Sequence, residues 1–509
     1  MKPQPIPFGP WEPDRAGINT RDDAGAIVLQ MAKNVYPLSI GYGPVPALSA
    51  LTATTLPAGC RGMVFARATS GGFFIFAGAV ARLYKYVAGA WVDFTRLLGP
   101  SGTSADRTYN VNPDDYWSWT QFGIYLVACN INDDPQYIDI DSSGSSGNFI
   151  KLPNAPKARY VTTVNQFLVL GCLSSNNRKV MNSGYADITG WTLGVNLCDE
   201  QEFQDGGRVT GIAGGEFGWI VQEKALRTMT LQPGSDVAFR IDRIEKEHGA
   251  AAGYAAIAVN KGVYFLADDG FYRADSNGLS PIGAQRINKW FQSNSDTARF
   301  WTILGFSDPY APRIGWAFFA TSGSTVLDRI LWYDWQLDKW SYTDVSVQFI
   351  ASIVTSGVTL EELDAPYPNL DTDVPFSLDS RVWEGGRPVI GAIDATGRLA
   401  FLEATVPLDA QILTAPMQLQ DGGLTTVSSI EPMGLFNDAS PTVRVGKFMT
   451  NKDSPTYTAA VPPSTRTGVC RLKSKGRFHQ VELNLTQSSG TLWKYAQGFQ
   501  LESSDGGKQ

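Results

Sequence analysis

The amino-acid sequence predicts an all-β protein whose core is a β-propeller of about seven four-stranded blades. From about residue 60 onward, short runs of β-branched and aromatic residues end at Gly, Asp or Asn, which is the pattern of β-strands. Aromatic residues stand seven and five positions before Trp91 and again before Trp340, and a version one residue shorter precedes Trp191. These tryptophans are 100 residues (91 to 191) and 149 residues (191 to 340) apart, near two and three repeats of about 50 residues, a period typical of blades. We therefore expect each of them to open a strand at an equivalent position in a different blade.

Changes in composition along the chain predict three parts. Residues 1–59 are rich in proline, which fixes φ and removes a hydrogen-bond donor, so we expect an extended N-terminal arm with little regular structure of its own. Residues 60–404 hold the propeller core, and within it residues 359–381, with six acids and three prolines, predict an exposed acidic loop or insertion. Residues 405–509 predict a small C-terminal β module. The best helical pattern is short and runs from Ile287 to Phe291.

Composition excludes several classes of protein. Hydrophobic residues make up 43% of the 509 residues and charged residues only 18%, a balance that excludes an intrinsically disordered chain. The net charge is -7, whereas a protein that coats DNA needs an excess of Lys and Arg to neutralise phosphates. The five cysteines contain no C-x-x-C spacing and are expected to be buried, reduced thiols. We recognise neither a signal peptide nor a membrane-spanning segment, and therefore expect a soluble protein made in a reducing compartment.

The sequence offers little for catalysis. His248 and His479 are its two histidines, and they are far apart in the chain, whereas an imidazole metal site or a Ser–His–Asp triad needs several such groups together. Phosphate-loop, dinucleotide-binding, nucleophile-elbow and zinc-protease motifs do not occur. The sequence therefore predicts a protein that is not an enzyme, with no catalytic residues and no cofactor.

One segment partly matches a calcium-binding loop. Asp139, Asp141 and Ser143 place oxygen ligands at alternate positions, followed by a glycine, as the geometry of Ca²⁺ loops requires. The twelfth position of such a loop needs a bidentate carboxylate, and Ile150 occupies it here. A plain hairpin tip is therefore favoured over a metal site.

The region from 441 to 480 is basic, with eight Lys and Arg residues and one acid. Its densest part has four bases at alternate positions: Arg471, Lys473, Lys475 and Arg477. These side chains share one face if the segment is a continuous strand, whereas a turn at Lys475 and Gly476 would break the row. Three interpretations stay open, namely a solvated face, docking to an acidic protein partner, and contact with DNA.

Carboxylates and tryptophans together suggest an alternative function. Glycosidases place two acids beside aromatic platforms, so a glycan-binding or glycan-cleaving propeller that acts on a host surface is a second interpretation. The nearest match to the Asp-box turn of sialidase-type propellers, S-x-D-x-G-x-x-W, lies between Asp187 and Trp191, and its spacing is wrong.

Four stretches, spread over nearly the whole chain, share motifs with one family. They are FGPWEPD (8–14) with AKNVYP (32–37) and GYGP (41–44), SGYADITGW (183–191), the region 205–291 with DGGRV, GGEFG, FLADDGFY and PIG, and GRFH (476–479). In these motifs the chain resembles the β-propeller tail-hub, or nozzle, proteins of short-tailed bacteriophages, which include packaged-DNA stabilisation proteins.

The resemblance implies a structural virion protein that forms a hexameric ring at the distal end of the tail, after assembly in the host bacterial cytoplasm. Such a ring would bind an adaptor on the portal, anchor a fibre, spike or plug, and conduct and retain double-stranded DNA until ejection. An acidic chain suits a conduit because it repels phosphate over the Debye length of about 8–10 Å. The basic row and the acidic 359–381 segment would then suit contacts between rings or between neighbouring subunits.

Overall fold

The computed structural model describes residues 4–97, 108–143, 147–215, 217–276, 278–355, 367, 369, 374, 376, 379–380, 383–420, 423–450 and 453–507, with only the backbone at 142 and 143. Over these residues the fold is all-β, interrupted by two short α-helices and two short 3-10 segments. Five strands precede the propeller repeats: β1 (Gln4–Trp11), β2 (Ile27–Lys33), β3 (Val35–Pro37), β4 (Tyr42–Pro44) and β5 (Ser49–Thr55).

Five separate antiparallel sheets of four strands follow in chain order, and we number them blades 1 to 5. Tight turns join neighbouring strands, as the frequent Gly, Asn and Asp residues predict. Blades 1 and 2 consist of β6 (Cys60–Arg67), β7 (Phe73–Ala79), β8 (Leu83–Val87) and β9 (Ala90–Asp93), then β10 (Ser118–Phe122), β11 (Tyr125–Cys129), β12 (Gln136–Asp139), helix α1 (Ile140–Ser143) and β13 (Ile150–Lys151). Blades 3 and 4 consist of β14 (Ala158–Val164), β15 (Phe167–Leu173), β16 (Asn176–Asn182) and β17 (Asp199–Glu202), then β18 (Val209–Ala213), β19 (Gly218–Gln222), β20 (Leu226–Leu231) and β21 (Phe239–Glu245). Blade 5 consists of β22 (Ile257–Val259), β23 (Gly262–Ala267), β24 (Gly270–Asp275) and β25 (Gly278–Pro281).

One long strand serves two further blades. After helix α2 (Asn288–Ser293), blade 6 is built from β26 (Leu304–Ser307), β27 (Arg313–Phe318), β28 (Leu327–Asp334) and β29 (Lys339–Val354). The first half of β29 pairs with β28, and its second half pairs with β30 (Pro388–Asp394). The same strand is therefore outermost in blade 6 and innermost in blade 7, so the two blades cannot move apart without breaking it.

Blade 7 is completed by a strand of the N-terminal arm. Its third strand, β31 (Arg398–Phe401), pairs with β30 on one side and with β5 on the other. Ala50 lies opposite Ala400 and Ser49 opposite Phe401 in this antiparallel pair. Strand β5 thus supplies the fourth strand of blade 7, which confirms the predicted count of about seven four-stranded blades and covers an edge that would otherwise be open.

The remaining strands form the C-terminal module together with the arm. They are β32 (Ala410–Thr414), β33 (Thr425–Leu435), β34 (Ser440–Phe448), β35 (Thr456–Tyr457), β36 (Cys470–Gly476), β37 (Phe478–Thr486) and β38 (Tyr495–Asp505). One layer contains β36, β33, β38 and β1, and the other contains β35, β34, β37, β32 and β2. Strand β1 also pairs with β2, so the arm links the two layers. Buried side chains of the arm, the module and blades 5 and 6 form a single hydrophobic cluster.

The arm is more regular than its prolines predict. Pro5 and Pro7 both lie in β1, where residues 4–7 pair with β38. Prolines at alternate positions remove N–H groups from one side of a strand only, so the other side keeps its donors. Within the described residues, the arm's strands pair with one another only in the β3–β4 hairpin and in the short β1–β2 contact, and their other partners are distant parts of the chain. The predicted boundary between residues 59 and 60 consequently divides blade 7, because β5 lies before it and the other three strands of that blade lie after it.

The FGPWEPD motif at residues 8–14 joins the arm to the propeller. Trp11 is fully buried, and its ring packs edge-on against that of Trp290 in α2, with 4.6 Å between the ring centroids. The Asp14 carboxylate accepts hydrogen bonds of 2.8 Å from the backbone N–H groups of Lys289 and Trp290, which satisfies donors in the first turn of α2. Glu12, which is almost fully buried, pairs with Arg286 at 2.8 Å.

The tryptophan repeat is right for two positions and wrong for one. Trp91 and Trp340 are each the second residue of an outermost strand, in blades 1 and 6, opposite Tyr86 and Tyr333. Trp191 belongs to blade 3 but lies in the connection between β16 and β17 rather than in a strand. Its indole N–H donates to the carbonyl of Ile188 at 2.7 Å, so this tryptophan stabilises a turn instead of opening a strand.

Other expectations have mixed outcomes. The helical pattern at 287–291 is confirmed, because α2 begins one residue later and buries Phe291. All five cysteines are buried and none forms a disulfide, as predicted. Most of the acidic segment 359–381 lies outside the described residues, although Tyr367 and Phe376 are buried and their rings lie near that of Trp383. No helix within the described ranges is long and apolar enough to cross a membrane.

Closure of blade 7 by β5 can be tested with a matched pair of variants. Leu51 is buried in the core cluster of blade 7, whereas Thr54 on the same strand is exposed. Because a buried carboxylate loses its hydration without gaining a partner, we expect Leu51→Asp to lower the free energy of unfolding by about 3 kcal/mol or more. Thr54→Asp should change it by no more than about 0.5 kcal/mol. Urea unfolding measures both, and equal effects of the two variants would contradict the closure.

Candidate functional site

The basic row lies on a continuous strand. Strand β36 spans Cys470–Gly476, and its residues alternate between buried and exposed along the whole length. Arg471, Lys473 and Lys475 are the exposed members, because side chains at alternate positions of a strand point to the same face. The structure therefore favours the continuous strand over a turn at Lys475.

Arg477 extends the row around a corner. It is the single residue between β36 and β37, which lie in different layers of the module, and it is exposed. Its guanidinium carbon lies 5.4 Å from the ring centre of Phe478, a cation–π contact that holds the side chain close to the surface.

The four cations have no carboxylate partner within 4 Å among the described residues. Arg444 in the neighbouring layer behaves differently, since it pairs with the buried Glu482 at 2.7 Å. Strand β36 pairs only with β33 in the described part of the module, so its second edge forms no sheet hydrogen bonds there. An exposed edge with uncompensated positive charge is a surface that can attract an anionic partner, and Lys on an edge also opposes unwanted strand pairing.

A second site lies where the innermost strands of five consecutive blades begin. It is a cavity of about 340 Å³ with contributions from residues before β10, from β14, from β18 and the residue preceding it, and from residues before β22 and β26. Because innermost strands surround the axis of a propeller, this axial pocket opens at one end of that axis. Its principal polar and aromatic lining residues are Asp114, Asp115, Arg159, Arg208, Tyr254 and Trp301.

The wall of the axial pocket contains a buried ion pair. Asp115 is 4% exposed, and one of its carboxylate oxygens accepts hydrogen bonds from the Tyr254 hydroxyl and, at 3.0 Å, from the Tyr116 backbone N–H. The other oxygen lies 3.3 Å from Nε of Arg159. Burial is the largest single influence and would lower the pKa of Arg159, but the Asp115 carboxylate together with Tyr160, Tyr254 and Cys172 raises that pKa overall. Arg159 is therefore a charged group whose orientation Asp115 fixes.

Three exposed groups complete the rim. Arg208 pairs with Glu223 through an Nε–Oε1 distance of 2.8 Å, which orients a second guanidinium at the pocket. The Asp114 carboxylate is exposed and has no hydrogen-bond or ion-pair partner among the described residues. Trp301 is 48% exposed, an unusual state for an indole, and it lines the same cavity.

Close backbone packing shapes the pocket. A Cβ atom at Gly253 would collide with the carbonyl oxygen of Thr210, so glycine lets the segment before β22 approach β18 directly. The Tyr254 ring then packs edge-on against Tyr116 and Tyr160, at centroid distances of 5.1 and 5.3 Å.

Sequence reasoning missed the axial pocket. Its residues come from five blades, and no local motif joins them. A weak signal does exist, because Arg159 and Arg208 are 49 residues apart (159 to 208), close to one blade repeat, and both lie at the start of an innermost strand. This spacing can be recognised as a signal only after each strand has been assigned to its blade.

The calcium candidates lie at the end of the third strand of blade 2. Asp139 ends β12, Asp141 lies in α1, and the side chain of Ser143 is outside the described residues. Both carboxylate oxygens of Asp141 accept hydrogen bonds from Thr69, one from its backbone N–H at 2.9 Å and one from its hydroxyl. Asp141 thus fastens a turn of blade 1 to blade 2, and the described residues contain no cluster of metal-binding side chains.

The two histidines lie in different parts of the fold and have different surroundings. His479 is completely buried in the module, where its Nε2 lies 2.8 Å from the Thr425 hydroxyl. Burial lowers the pKa of His479, so the fold favours its neutral form. His248 lies at the surface, 3.7 Å from Glu245 and 3.6 Å from Asp269.

Comparisons with known proteins find similarity only to solved structures, and at low sequence identity. No family model and no curated protein matches the chain. Among solved structures, virginiamycin B lyase from Staphylococcus aureus has 11% identity and a TM-score of 0.39, covering 70% of this chain and 98% of its own. YCF48 from Cyanidioschyzon merolae has 8% identity and a TM-score of 0.36, and the match covers 70% of this chain and 98% of YCF48. A putative 6-phosphogluconolactonase from Bacteroides fragilis has 12% identity and a TM-score of 0.34, and the match covers 67% of this chain and 93% of that protein. Two of the three are named as enzymes, but likenesses at this level transfer no activity, and the propeller rests on the strand pairing itself.

The buried His479 predicts a specific pH dependence. Its pKa is lowered on folding from an ordinary value of 6.5, so the unfolded chain binds this proton more readily, and stability falls as the pH decreases below about 6.5. His479→Gln keeps a hydrogen-bonding group for Thr425 but cannot titrate. We expect wild-type protein to lose more thermal stability between pH 7.5 and pH 5.5 than the variant. Parallel pH dependence of the two melting temperatures would contradict the assignment.

Proposed function

We propose that this chain is a structural virion protein, a subunit of a closed ring at the distal end of a short bacteriophage tail that conducts and retains packaged DNA and anchors a fibre, spike or plug. The observation that carries the proposal is the row of cations along β36 and at Arg477, which has no carboxylate partner within 4 Å among the described residues. The family motifs in the sequence support it further, because FGPWEPD is the segment that fastens the arm to α2.

Charge favours a protein partner for the basic row. The whole chain carries a net charge of -7, so a second copy presents a mostly acidic surface to the concentrated positive row of the first. Contact between two different patches of identical subunits is head-to-tail, and such contacts form a ring when the rotation closes. A DNA conduit must also let DNA slide, which a strongly basic lumen would hinder.

The predicted closure is sixfold, in line with the resemblance to tail-hub proteins. Strand pairing between distant segments suits this role, since a subunit that bears load between an adaptor and a fibre needs segments that do not separate. The β1–β38 pair, the shared strand β29 and the β5–β31 pair join the arm, the propeller and the module into continuous sheets. No step of this function requires a catalytic residue or a cofactor.

A charge-deletion variant tests the proposal. Replacing Arg471, Lys473, Lys475 and Arg477 together by Ala removes exposed side chains only, so we expect a normal fold. When wild-type protein is mixed with the portal–adaptor complex of its virion, electron micrographs should show a sixfold ring. The fraction of complexes that carry the ring should fall as the salt concentration rises. The quadruple variant should assemble at least tenfold less at low salt.

The matched control removes the same number of charges elsewhere. Its sites are exposed and without an ion-pair partner within 4 Å in the described residues: Arg178, Lys224, Lys246 and Lys261. This control should assemble as wild-type protein does. Equal assembly of the basic-row variant and the control would leave the row as a solvated edge and contradict the proposed interface. A particle with one or three copies would contradict the ring.

A further inference from the structure

The axial pocket is unexplained by a ring-forming role. It is separate from the basic row, which lies on the C-terminal module, whereas the pocket is formed by blades 2 to 6. Its volume of about 340 Å³ falls at the lower end of the roughly 300–1,000 Å³ typical of small-molecule sites. Converging charged groups and an exposed indole also distinguish it from an ordinary gap between blades.

The charges of the pocket are largely compensated. Arg159 pairs with Asp115 and Arg208 pairs with Glu223, so neither guanidinium offers an unbalanced positive charge to an anion. Among the charged lining groups, Asp114 is the one without a partner in the described part of the chain, and its negative charge would repel a carboxylate or phosphate ligand. A neutral ligand rich in hydroxyl groups fits this balance, because each hydroxyl donates one hydrogen bond to a carboxylate and accepts others from guanidinium N–H groups.

The exposed indole narrows the ligand class. Trp301 presents a flat apolar surface at the rim, and Asp114, Arg159 and Arg208 supply polar groups around it. A pyranose ring has the complementary shape, with apolar C–H groups on its face and hydroxyl groups around its edge. Ligand sites commonly combine an aromatic surface with a few fixed polar groups in this way.

We infer that the axial pocket binds a neutral saccharide of one or two pyranose rings, with Trp301 as the stacking platform and Asp114, Arg159 and Arg208 as hydrogen-bonding groups. Asp115 is a positioning residue, because it is buried and acts by holding Arg159. This activity goes beyond the ring-forming role and takes up the glycan-binding half of the alternative that the sequence suggests. It requires no bond cleavage and no assembly of subunits.

Direct binding measurements on the full-length protein test the inference. The probes are the neutral disaccharides maltose, lactose, mannobiose and N,N′-diacetylchitobiose, with the anionic 3′-sialyllactose as comparator. Saturation-transfer NMR and titration calorimetry should detect at least one neutral probe, with a dissociation constant in the millimolar range or tighter, and weaker binding of the anionic one.

Matched variants then locate the site. Trp301→Ala should weaken binding of that probe at least tenfold, and Asp114→Ala should weaken it measurably. The control is Tyr310→Ala, because Tyr310 is equally exposed at 48% and lies in the same blade, in the β26–β27 connection at the opposite end of β26. The control should leave affinity unchanged. Absence of binding to all four neutral probes, or binding that Trp301→Ala does not alter, would overturn the inference without bearing on ring assembly.

Discussion

Pairing of β5 with β31 is the constraint on which the rest of the structure depends. Blade 7 takes three strands from residues 347–401 and its fourth from residues 49–55, so the propeller closes only when chain segments about 350 positions apart meet. The loop-closure entropy of such a long loop grows only logarithmically with its length, and strand hydrogen bonds together with the burial of Leu51 offset it. The arm adds a second connection through Trp11 and Asp14, which dock on α2, and a third through β1 and β2, which complete the C-terminal module.

This closure separates two surfaces with different chemistry. At one end of the propeller axis, the beginnings of five innermost strands form a pocket with compensated charge and an exposed indole. On the module, whose two layers each include one arm strand, β36 exposes cations that have no carboxylate partner among the described residues. The first surface suits a small neutral ligand and the second suits an extended acidic partner. The two proposed activities are therefore independent of each other, because neither surface includes residues of the other.

Local patterns predicted much of the fold, and long-range pairings account for what they missed. The alternation along β36 has the period of a strand and is visible in the sequence, as are the aromatic hairpins that end at Trp91 and Trp340. Trp191 follows a similar spacing but caps its own turn, a difference that depends on a hydrogen bond to Ile188 rather than on periodicity. The role of β5 was not predictable from its composition, since its partner strand β31 lies about 350 residues further along the chain. The axial pocket was missed for the same reason, because Asp115 and Arg159 become neighbours only after the blades are placed around an axis.

Hydrogen–deuterium exchange of the intact protein tests this closure most directly. Amide protons in a strand that opens only with the whole domain exchange at the rate of global unfolding, whereas those of a fraying segment exchange far faster. If β5 closes blade 7, the paired amides within residues 49–55 will be protected to the same extent as those of β31 at 398–401, and both sets will lose protection together as denaturant is added. Exchange of the β5 amides a hundredfold or more faster than that of β31, in the absence of denaturant, would contradict the account.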